Sequence, residues 1–307
     1  MIEKLPDFDA GVAYWTATSA DVDGVLGGYG EGTPVPRLDA TSSRLLILSL
    51  LPELSTIPPP HLPPSSAPSR PSRRFRALDC GAGIGRVTST VLLPLFDIVD
   101  LVEPVEPFVV QAQTNALEGK EGWKWLHAED ESKRKGVRIW RAGLQHFDPL
   151  APARPVTGEA TGAGAEAPGA SAKVELFAKL GREDAAWLQP SADLKVAEEG
   201  YDLVMVQWCV GHLSDSELVG FLQRSRRALR QQANGTCEGY IIVKENVCKD
   251  TDGNGAGKIF DEDDSSITRS DKAFREVFER AGLTIVRREV QRGFPAELFP
   301  VVAYALR

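Results

Sequence analysis

The sequence has few cysteines, no long apolar run and no excess of positive charge, and each absence argues against a class of protein. No stretch approaches the about 18 consecutive apolar residues that a transmembrane helix needs. No apolar stretch follows a basic one at the N-terminus, so we expect no secretory signal. The four cysteines form no C-x-x-C pair, so we expect reduced thiols and no metal site. We therefore expect a cytoplasmic protein, with the nucleus as a further location.

The charge balance is acidic. The chain has 35 basic and 43 acidic side chains, which give a formal net charge of −8. A broad nucleic-acid surface would need the opposite sign. The acidity by itself favours solubility, and it is also compatible with a basic partner such as a peptide that carries lysine or arginine. We expect a monomer without a nucleic-acid or membrane partner.

Two segments resemble insertions in one domain that covers residues 1–307. Residues 52–74 are crowded with proline and serine, a composition that excludes a helix or a central strand. Residues 151–172 are rich in Ala, Gly, Pro and Glu and have almost no large apolar side chain to bury. We predict that both segments are flexible. A short helix is predicted directly after them, at Val174 to Leu180.

The rest of the chain alternates short apolar runs with amphipathic stretches. The clearest strands are Arg76 to Asp79, Ile98 to Val102 and Tyr201 to Gln207. Such alternation predicts a mostly parallel sheet with helices on both faces. The last two strands, Thr284 to Val290 and Val301 to Leu306, have no helical pattern between them, which predicts an antiparallel final strand. The fold class is therefore α/β: a doubly wound, mostly parallel, seven-stranded sheet of the class I methyltransferase type.

A glycine-rich loop follows the first strand of this sheet. The order is Asp79, Gly81, Gly83 and Gly85, with one residue between successive members of the set. A dinucleotide-binding loop would read G-x-G-x-x-G, because it must hold a pyrophosphate at the helix N-terminus. Here the third glycine comes one residue early, and D-x-G-x-G-x-G is typical of proteins that bind S-adenosylmethionine. We predict S-adenosylmethionine as the cofactor and S-adenosylhomocysteine as its product; the alternative for the loop alone is a structural turn.

Three further residues stand where this cofactor would need partners. Glu103 ends the next strand, where a carboxylate can accept hydrogen bonds from both ribose hydroxyls, unless it is simply a solvent-facing side chain. Arg86 follows the loop and could pair with the carboxylate of the methionine part. Gln145 lies just past a further predicted strand, Val137 to Arg141, where the adenine is expected, and offers both a donor and an acceptor.

Several segments together resemble a specific family, the eukaryotic protein alpha-N-terminal methyltransferases, which act on mature N-termini that read X-Pro-Lys or X-Pro-Arg. The resemblance covers nearly the whole chain except the two insertions. Its most specific parts are D-G-x-L-G-G-Y-G at 23–30 and Q-W-x-x-G-H-L at 207–213, and further matches lie at 14–15, 78–88, 92–96, 143–145, 244–246, 264–266 and 304–307.

The resemblance implies a role for each matching position. Residues 1–50 would form an N-terminal helical lid over a peptide channel. The cofactor contacts would be Gly81, Gly83, Gly85, Arg86, Glu103, Leu144, Gln145 and Gln207. Trp15, Leu26 and Trp208 would line the pocket for the first substrate residues, including the proline. Asn246 would bind the first peptide carbonyl, Asp261 and Ser266 would receive the lysine or arginine, and Asp264 and His212 would lie beside the alpha-amino group.

The sequence departs from the family pattern at a few positions. Glu103 stands where the family usually has a ribose-binding aspartate, so the charge is kept on a longer arm. Phe299 stands where the family has a tyrosine near the C-terminal end of the pocket, so a hydroxyl is lost. A longer Asp- and Gly-rich loop, Thr251 to Gly257, precedes Asp261.

The chemistry needs a group that removes a proton. An alpha-amino group has a pKa of about 7.7–8.0, so at pH 7 it is mostly protonated and has no free lone pair to attack a sulfonium methyl. Asp264 or His212 can act as the general base, and the sequence leaves the choice between them open. Alternatively, His212 is a structural residue and Asp264 belongs to an acidic surface loop. The basic run Arg224 to Arg227 is expected on a solvated helix face.

Three rival functions use the same residues differently. A small-molecule amine methyltransferase would share the fold, but the N-terminal aromatic and Gly-Gly-Tyr-Gly segment favours a peptide channel. A non-catalytic binder would not need Glu103 and His212 together with the three glycines. A nicotinamide-dependent oxidoreductase is disfavoured by the early third glycine.

Overall fold

The computed structural model describes residues 4–57, 71–154, 156, 173–182, 195–251, 253 and 255–307. Most of the two predicted insertions therefore lies outside the described residues, so their predicted flexibility stays a prediction. No described helix has the length and apolar content needed to cross a membrane.

The centre of the fold is one twisted sheet. Its strands in chain order are β1 Arg76–Cys80, β2 Ile98–Glu103, β3 Gly136–Arg141, β4 Glu175–Gly181, β5 Leu203–Gln207, β6 Tyr240–Cys248, β7 Lys258–Asp261, β8 Ser266–Ser270, β9 Ile285–Val290 and β10 Val301–Leu306. The spatial order is β4-β3-β2-β1-β5-β6-β10-β9. β3, β2, β1, β5 and β6 run parallel, whereas β10 is antiparallel to both of its neighbours, β6 and β9. This order confirms the predicted fold class and the antiparallel final strand.

Helices cover both faces of the sheet. The described α-helices are α1 Phe8–Ala17, α2 Val35–Leu50, α3 Leu93–Leu95, α4 Glu106–Glu118, α5 Val196–Glu199, α6 Asp215–Ala228 and α7 Asp271–Arg280. Successive side chains of β1 enter opposite core layers, since Ala77 belongs to one apolar cluster and Leu78 to the other. The S-x-x-E capping box of Ser214 and Glu217 begins α6. The helices α1 and α2 lie within the predicted N-terminal lid.

The sheet is larger than the predicted seven strands. The segment Val174 to Leu180, predicted as a short helix, instead forms β4, which pairs antiparallel with β3. An isolated helix this short is marginal in water, whereas the exposed edge of β3 offers a row of backbone hydrogen bonds. The short strands β7 and β8 form an antiparallel hairpin, and β8 continues the sheet beside the end of β6. This hairpin brings the acidic loop 261–265 to the carboxyl end of the parallel strands.

Candidate active site

The three loop glycines each adopt a left-handed backbone, with φ of 61° at Gly81, 55° at Gly83 and 77° at Gly85. A Cβ atom on Gly81 would lie 2.2 Å from Cβ of Cys209, and one on Gly85 would lie 2.4 Å from a ring carbon of Trp123. A Cβ on Gly83 would meet no atom closer than 3.5 Å. The first and third glycines therefore allow close packing, whereas a Cβ on Gly83 would make only an ordinary contact with Val25.

Glu103 ends β2 and reaches back under the glycine loop. Its Oε2 accepts a hydrogen bond from the backbone N–H of Gly83 at 2.8 Å, and its Oε1 accepts one from the N–H of Val105 at 2.9 Å. Burial raises the pKa of this carboxyl to about 7, against the opposing effect of the two N–H groups. Each oxygen keeps a second lone pair, so the carboxylate can still accept from a pair of ribose hydroxyls.

Asp79, the acidic residue before the loop, has a structural partner. Its Oδ2 accepts from the hydroxyl of Thr88 at 2.6 Å, and burial raises its pKa to about 6. Thr88 begins a π-helical turn, Thr88–Leu92, directly after the loop. The aspartate therefore fixes the helix start to the end of β1 and lies beneath the loop.

A cavity of about 120 Å³ lies above the glycine loop. Five residues predicted to contact the cofactor line it: Gly81, Gly83, Glu103, Leu144 and Gln145. Phe8, Gly11 and Val12 of α1 line its other side. The first N-terminal helix therefore covers the predicted cofactor site.

The loop that carries Leu144 and Gln145 is clamped from below by Arg224. The guanidinium donates to the carbonyls of Leu144 at 3.0 Å, Gln145 at 3.2 Å and Phe147 at 3.1 Å. The expectation that this basic residue is solvated was wrong, because the side chain is only 6% exposed. The carbonyl groups of Leu144, Gln145 and Phe147 replace water as the hydrogen-bond partners of the Arg224 guanidinium.

Gly85, Arg86 and Gln207 do not line that cavity. Arg86 and Gln207 are buried and share a partner that no sequence pattern indicates, Asp39 of α2. Asp39 accepts from Nη1 of Arg86 at 2.7 Å and from Nε2 of Gln207 at 2.9 Å. It also accepts from Nζ of Lys244 at 2.6 Å. The one available signal was Lys244 itself, a charge within an apolar strand that must be paired when buried.

A second cavity of about 260 Å³ lies on the other side of Trp208. Four residues predicted for the substrate or for catalysis line this cavity alone: Leu26, Asn246, Asp264 and Ser266. Trp15, Val25, Trp208 and His212 line both cavities. The two cavities therefore meet at a shared set of aromatic and apolar side chains.

Two predicted positions lie outside this second cavity. Asp261 is exposed at the end of β7, where it pairs with Ser266 in register and accepts from the N–H of Asp263 at 2.9 Å. Phe299 is 43% exposed, whereas its neighbour Leu298 lines the cavity. The hairpin register aims Asp261 at solvent, and nothing in the local sequence pattern fixed that register.

Trp208 has a strained backbone that a buried carboxylate supports. Its φ of 53° is left-handed, which is uncommon for a residue with a bulky side chain. The next two N–H groups, of Cys209 and Val210, donate to Oε1 of Glu245 at 2.7 Å and 3.0 Å. Sequence reasoning missed Glu245, although it lies beside the predicted Asn246. Its hydrogen bonds hold the turn that places Trp208 between the cavities.

His212 and Asp264 lie together where the cavities meet. Nε2 of His212 accepts a hydrogen bond from the indole N–H of Trp15 at 2.9 Å, and Oδ2 of Asp264 lies 4.0 Å from the same nitrogen. Burial lowers the pKa of His212 below its ordinary value, although Asp264 and the Ser265 backbone oppose the shift. The imidazole is therefore neutral near pH 7, and its own proton lies on Nδ1.

Buried polar atoms without a partner concentrate at this site. In the described part of the chain such atoms belong to Arg76, Gln207, Trp208, His212, Ser225 and Asp264. Four of these six residues are predicted site residues. Native proteins pair nearly all buried polar atoms, so this concentration indicates a place where ligands supply the missing partners. The orphan Oε1 of Gln207 fits the ammonium of an amino-acid group, which supports the predicted cofactor.

Comparison with known proteins gives one consistent result. The chain matches the family model of the AdoMet dependent proline di-methyltransferases over residues 5–154 and 171–307. It is 32% identical over 306 residues to alpha N-terminal protein methyltransferase 1 of Arabidopsis thaliana, across 99% of this chain and 80% of that protein. It is 31% identical over 294 residues to N-terminal Xaa-Pro-Lys N-methyltransferase 1-B of Xenopus laevis, across 96% of this chain and 92% of that protein. A SAM-dependent methyltransferase of Leishmania major superposes with a TM-score of 0.61 at 25% identity, across 98% of this chain and 82% of that one.

Proposed function

The chain belongs to the family of AdoMet dependent proline di-methyltransferases, and on that premise we propose that it methylates protein N-termini. The reaction transfers methyl groups from S-adenosylmethionine to the free alpha-amino group of proteins whose mature N-terminus reads X-Pro-Lys or X-Pro-Arg. The observation that carries this proposal is the meeting of two cavities at Trp15, Val25, Trp208 and His212. A methyl donor in one cavity and an amine in the other would face each other there.

The residues that line the first cavity suit the cofactor. When bound, S-adenosylmethionine supplies an activated methyl group on a positively charged sulfur. Glu103 would accept from the ribose, and Leu144 and Gln145 would flank the adenine. Gly83 leaves the space that the cofactor occupies, since a Cβ there would face the cavity.

The second cavity suits a short, extended N-terminus. The rings of Trp15 and Trp208 form flat walls against which a rigid proline can pack at little entropic cost. Asn246 would bind the first carbonyl, and Ser266 and the acidic loop from Asp261 would attract the basic third residue. Oδ2 of Asp264 lies 4.0 Å from Nε2 of His212. An ammonium group between them would lose its proton to one of these two side chains, and the geometry does not favour either one as the base.

The test is a methylation assay read by mass spectrometry. The protein is incubated with S-adenosylmethionine and a peptide beginning Ser-Pro-Lys, and we expect added methyl groups on the alpha-amine. The same peptide with an acetylated N-terminus has no free amine and should gain none. A protein that leaves the free peptide unmodified but methylates small amines would contradict the substrate assignment and favour the small-molecule alternative.

The Asp264→Asn variant separates chemistry from cofactor binding. The change keeps the side-chain shape but removes the negative charge beside His212, so turnover should fall by about 100-fold or more. Binding of S-adenosylhomocysteine, measured by calorimetry, should stay within about twofold, since Asp264 does not line the cofactor cavity. A loss of cofactor affinity would show that Asp264 belongs to the cofactor half of the site and would contradict this assignment.

We also propose that the protein acts as a monomer in the cytoplasm and nucleus, on protein substrates and without a membrane or nucleic-acid partner. The four free cysteines support a reducing compartment. Light scattering on the purified protein and microscopy of a fluorescent fusion test these two points.

A further inference from the structure

Asp39 joins the N-terminal helix α2 to Arg86, which follows the glycine loop, and to Gln207, which ends β5. It is fully buried, and its carboxylate bonds to both Arg86 and Gln207. We propose that Asp39 is a positioning residue that enables the site to recognise the amino-acid end of the cofactor. The inference rests on the cofactor part of the proposed function and concerns a residue that contacts the ligand only through its neighbours.

The chemistry of the Gln207 amide gives the first reason. A carboxylate can only accept hydrogen bonds, so the NH₂ group of Gln207 must face Asp39, and it lies 2.9 Å from each carboxylate oxygen. The amide oxygen then points the other way, and it is buried without a partner in the described part of the chain. Asp39 therefore fixes an acceptor in the orientation that an alpha-ammonium group needs.

Arg86 gives the second reason. Its Nη1 donates to Asp39 at 2.7 Å, which leaves the other edge of the planar guanidinium to face a second carboxylate. Since Arg86 and Gln207 bond to the same carboxylate, the cation and the orphan acceptor are neighbours. A cation beside an acceptor is the complement of an amino-acid zwitterion, which carries a carboxylate and an ammonium on the same carbon atom.

Lys244 keeps Asp39 in place. Its Nζ donates to Oδ1 of Asp39 at 2.6 Å, to Oγ of Ser43 at 3.0 Å and to Oγ of Ser42 at 3.1 Å. Burial acts to raise the pKa of Asp39, but the charges of Arg86 and Lys244 outweigh it and hold the pKa below its ordinary value. Asp39 is therefore an ionised acceptor at neutral pH, and its two partners keep one orientation.

The experiment compares two ligands that differ only at the amino-acid end. S-Adenosylhomocysteine carries that end, and 5′-methylthioadenosine lacks it. We expect Asp39→Asn to weaken binding of S-adenosylhomocysteine by about tenfold or more, because the positions of Arg86 and Gln207 are lost, and to change the affinity for 5′-methylthioadenosine by less than about twofold. Both affinities are measured by calorimetry on the full chain. The matched control is Ser43→Ala, which removes a Lys244 contact from the same helix and should leave the ratio of affinities unchanged.

A second pair of variants guards against a folding defect. Asp39→Asn leaves two buried cations without a carboxylate, so the double variant D39N/K244M restores the original charge balance and is compared with K244M alone. Loss of ligand discrimination in the double variant but not in K244M supports the proposal. Equal weakening of both ligands, or an unchanged ratio in D39N, overturns it. A wild-type protein that discriminates the ligands but does not methylate the peptide contradicts only the proposed function.

Discussion

The imidazole of His212 lies between an indole donor and a carboxylate. The N–H of Trp15 donates to Nε2 at 2.9 Å, and a donor at this atom stabilises the neutral ring. Trp15→Phe keeps a large ring but removes that donor, so the pKa of His212 should rise from its lowered value. If His212 is the base, the acid limb of the pH profile of kcat/KM should move to higher pH, since kcat/KM reports the free enzyme.

The matched control is Tyr14→Phe on the same helix. Tyr14 is 42% exposed and touches the ring of Trp15 edge-on, so its hydroxyl has no bond to His212. We expect this variant to keep the wild-type profile. The other groups facing the imidazole are the Asp264 carboxylate and the Ser265 backbone, and neither substitution alters them. A Trp15→Phe enzyme whose acid limb does not move would assign the base to Asp264.

At the residue scale, the sequence predicts side chains that belong to motifs and misses those that support them. Glu103 ends β2, Asn246 lies near the end of β6 and His212 follows β5. All three belong to recognisable segments, so their place at one edge of the sheet could be predicted. Asp39 and Glu245 act through hydrogen bonds to groups far away in the chain, and Arg224 binds carbonyls that only the fold brings near. No local spacing marks such partners. The exposed position of Asp261 could not be predicted for a related reason, because hairpin register is set by pairing and not by composition.

At the element scale, two substitutions in the glycine loop are expected to have different main effects, one on stability and one on cofactor affinity. Gly85→Ala would place a methyl 2.4 Å from Trp123 at a φ of 77°, so both overpacking and backbone strain destabilise the fold, by about 2–4 kcal/mol in total. Gly83→Ala has the same backbone strain, about 1–2 kcal/mol, but its methyl faces the cavity, so the main loss should be affinity for S-adenosylhomocysteine. Thermal unfolding and calorimetry measure the two quantities separately.

The two glycine variants control for each other. Both glycines have a left-handed backbone, so the two variants share the same kind of backbone strain. A difference between their melting temperatures or cofactor affinities therefore reports the atoms that each added methyl group meets. A Gly83→Ala protein with normal cofactor affinity and a melting temperature as low as that of Gly85→Ala would show that the cavity above Gly83 is not the cofactor site.

The strands of the sheet and the long helices on its faces could be predicted from the sequence because apolar runs and capping residues are local signals. Val301 to Leu306 forms β10 as predicted, and the S-x-x-E pattern of Ser214 and Glu217 forms the capping box of α6. β4 could not be predicted in the same way, since its backbone partner is the open edge of β3. Its seven residues have no strong preference of their own, and pairing with a neighbour decided their conformation.

At the scale of the whole molecule, the N-terminal segment that contains α1 and α2, which we predict to form a lid, makes several polar contacts with the rest of the fold, and two of them involve predicted site residues. Trp15 of α1 bonds to His212, and Asp39 of α2 bonds to Arg86 and Gln207. Both contacts reach residues near the carboxyl ends of the strands: His212 lines both cavities, whereas Arg86 and Gln207 are buried outside their linings. Residues of the N-terminal segment also line the second cavity, so this segment and the ends of the strands form the site together.

The buried carboxyls of this site make the stability of the whole molecule depend on pH. Burial raises the pKa of Glu103 and of Glu245 to about 7, and that of Asp79 to about 6. In the unfolded chain these groups titrate near pH 4, so between about pH 4.5 and 7 the native state binds more protons. Stability must therefore fall as pH rises through 7, which is the opposite of the usual behaviour of paired carboxylates.

We expect the melting temperature without cofactor to be a few degrees higher at pH 6.5 than at pH 8, for a gain of roughly 1–2 kcal/mol. His146 and His212, whose pKa values are lowered in the fold, oppose the trend from about pH 7.5 downward, where the unfolded histidines begin to bind protons, so the net gain lies at the lower end of this range and the interval stops at pH 6.5. Glu245→Gln should reduce the pH dependence by about half, since one oxygen accepts both N–H groups and an amide oxygen can replace it. Saturating S-adenosylhomocysteine should reduce it further, because ribose hydroxyls that donate to Glu103 favour its ionised form. A melting temperature that rises from pH 6.5 to 8 would mean that these carboxyls are ionised throughout, and that water reaches the site more freely than the buried side chains indicate.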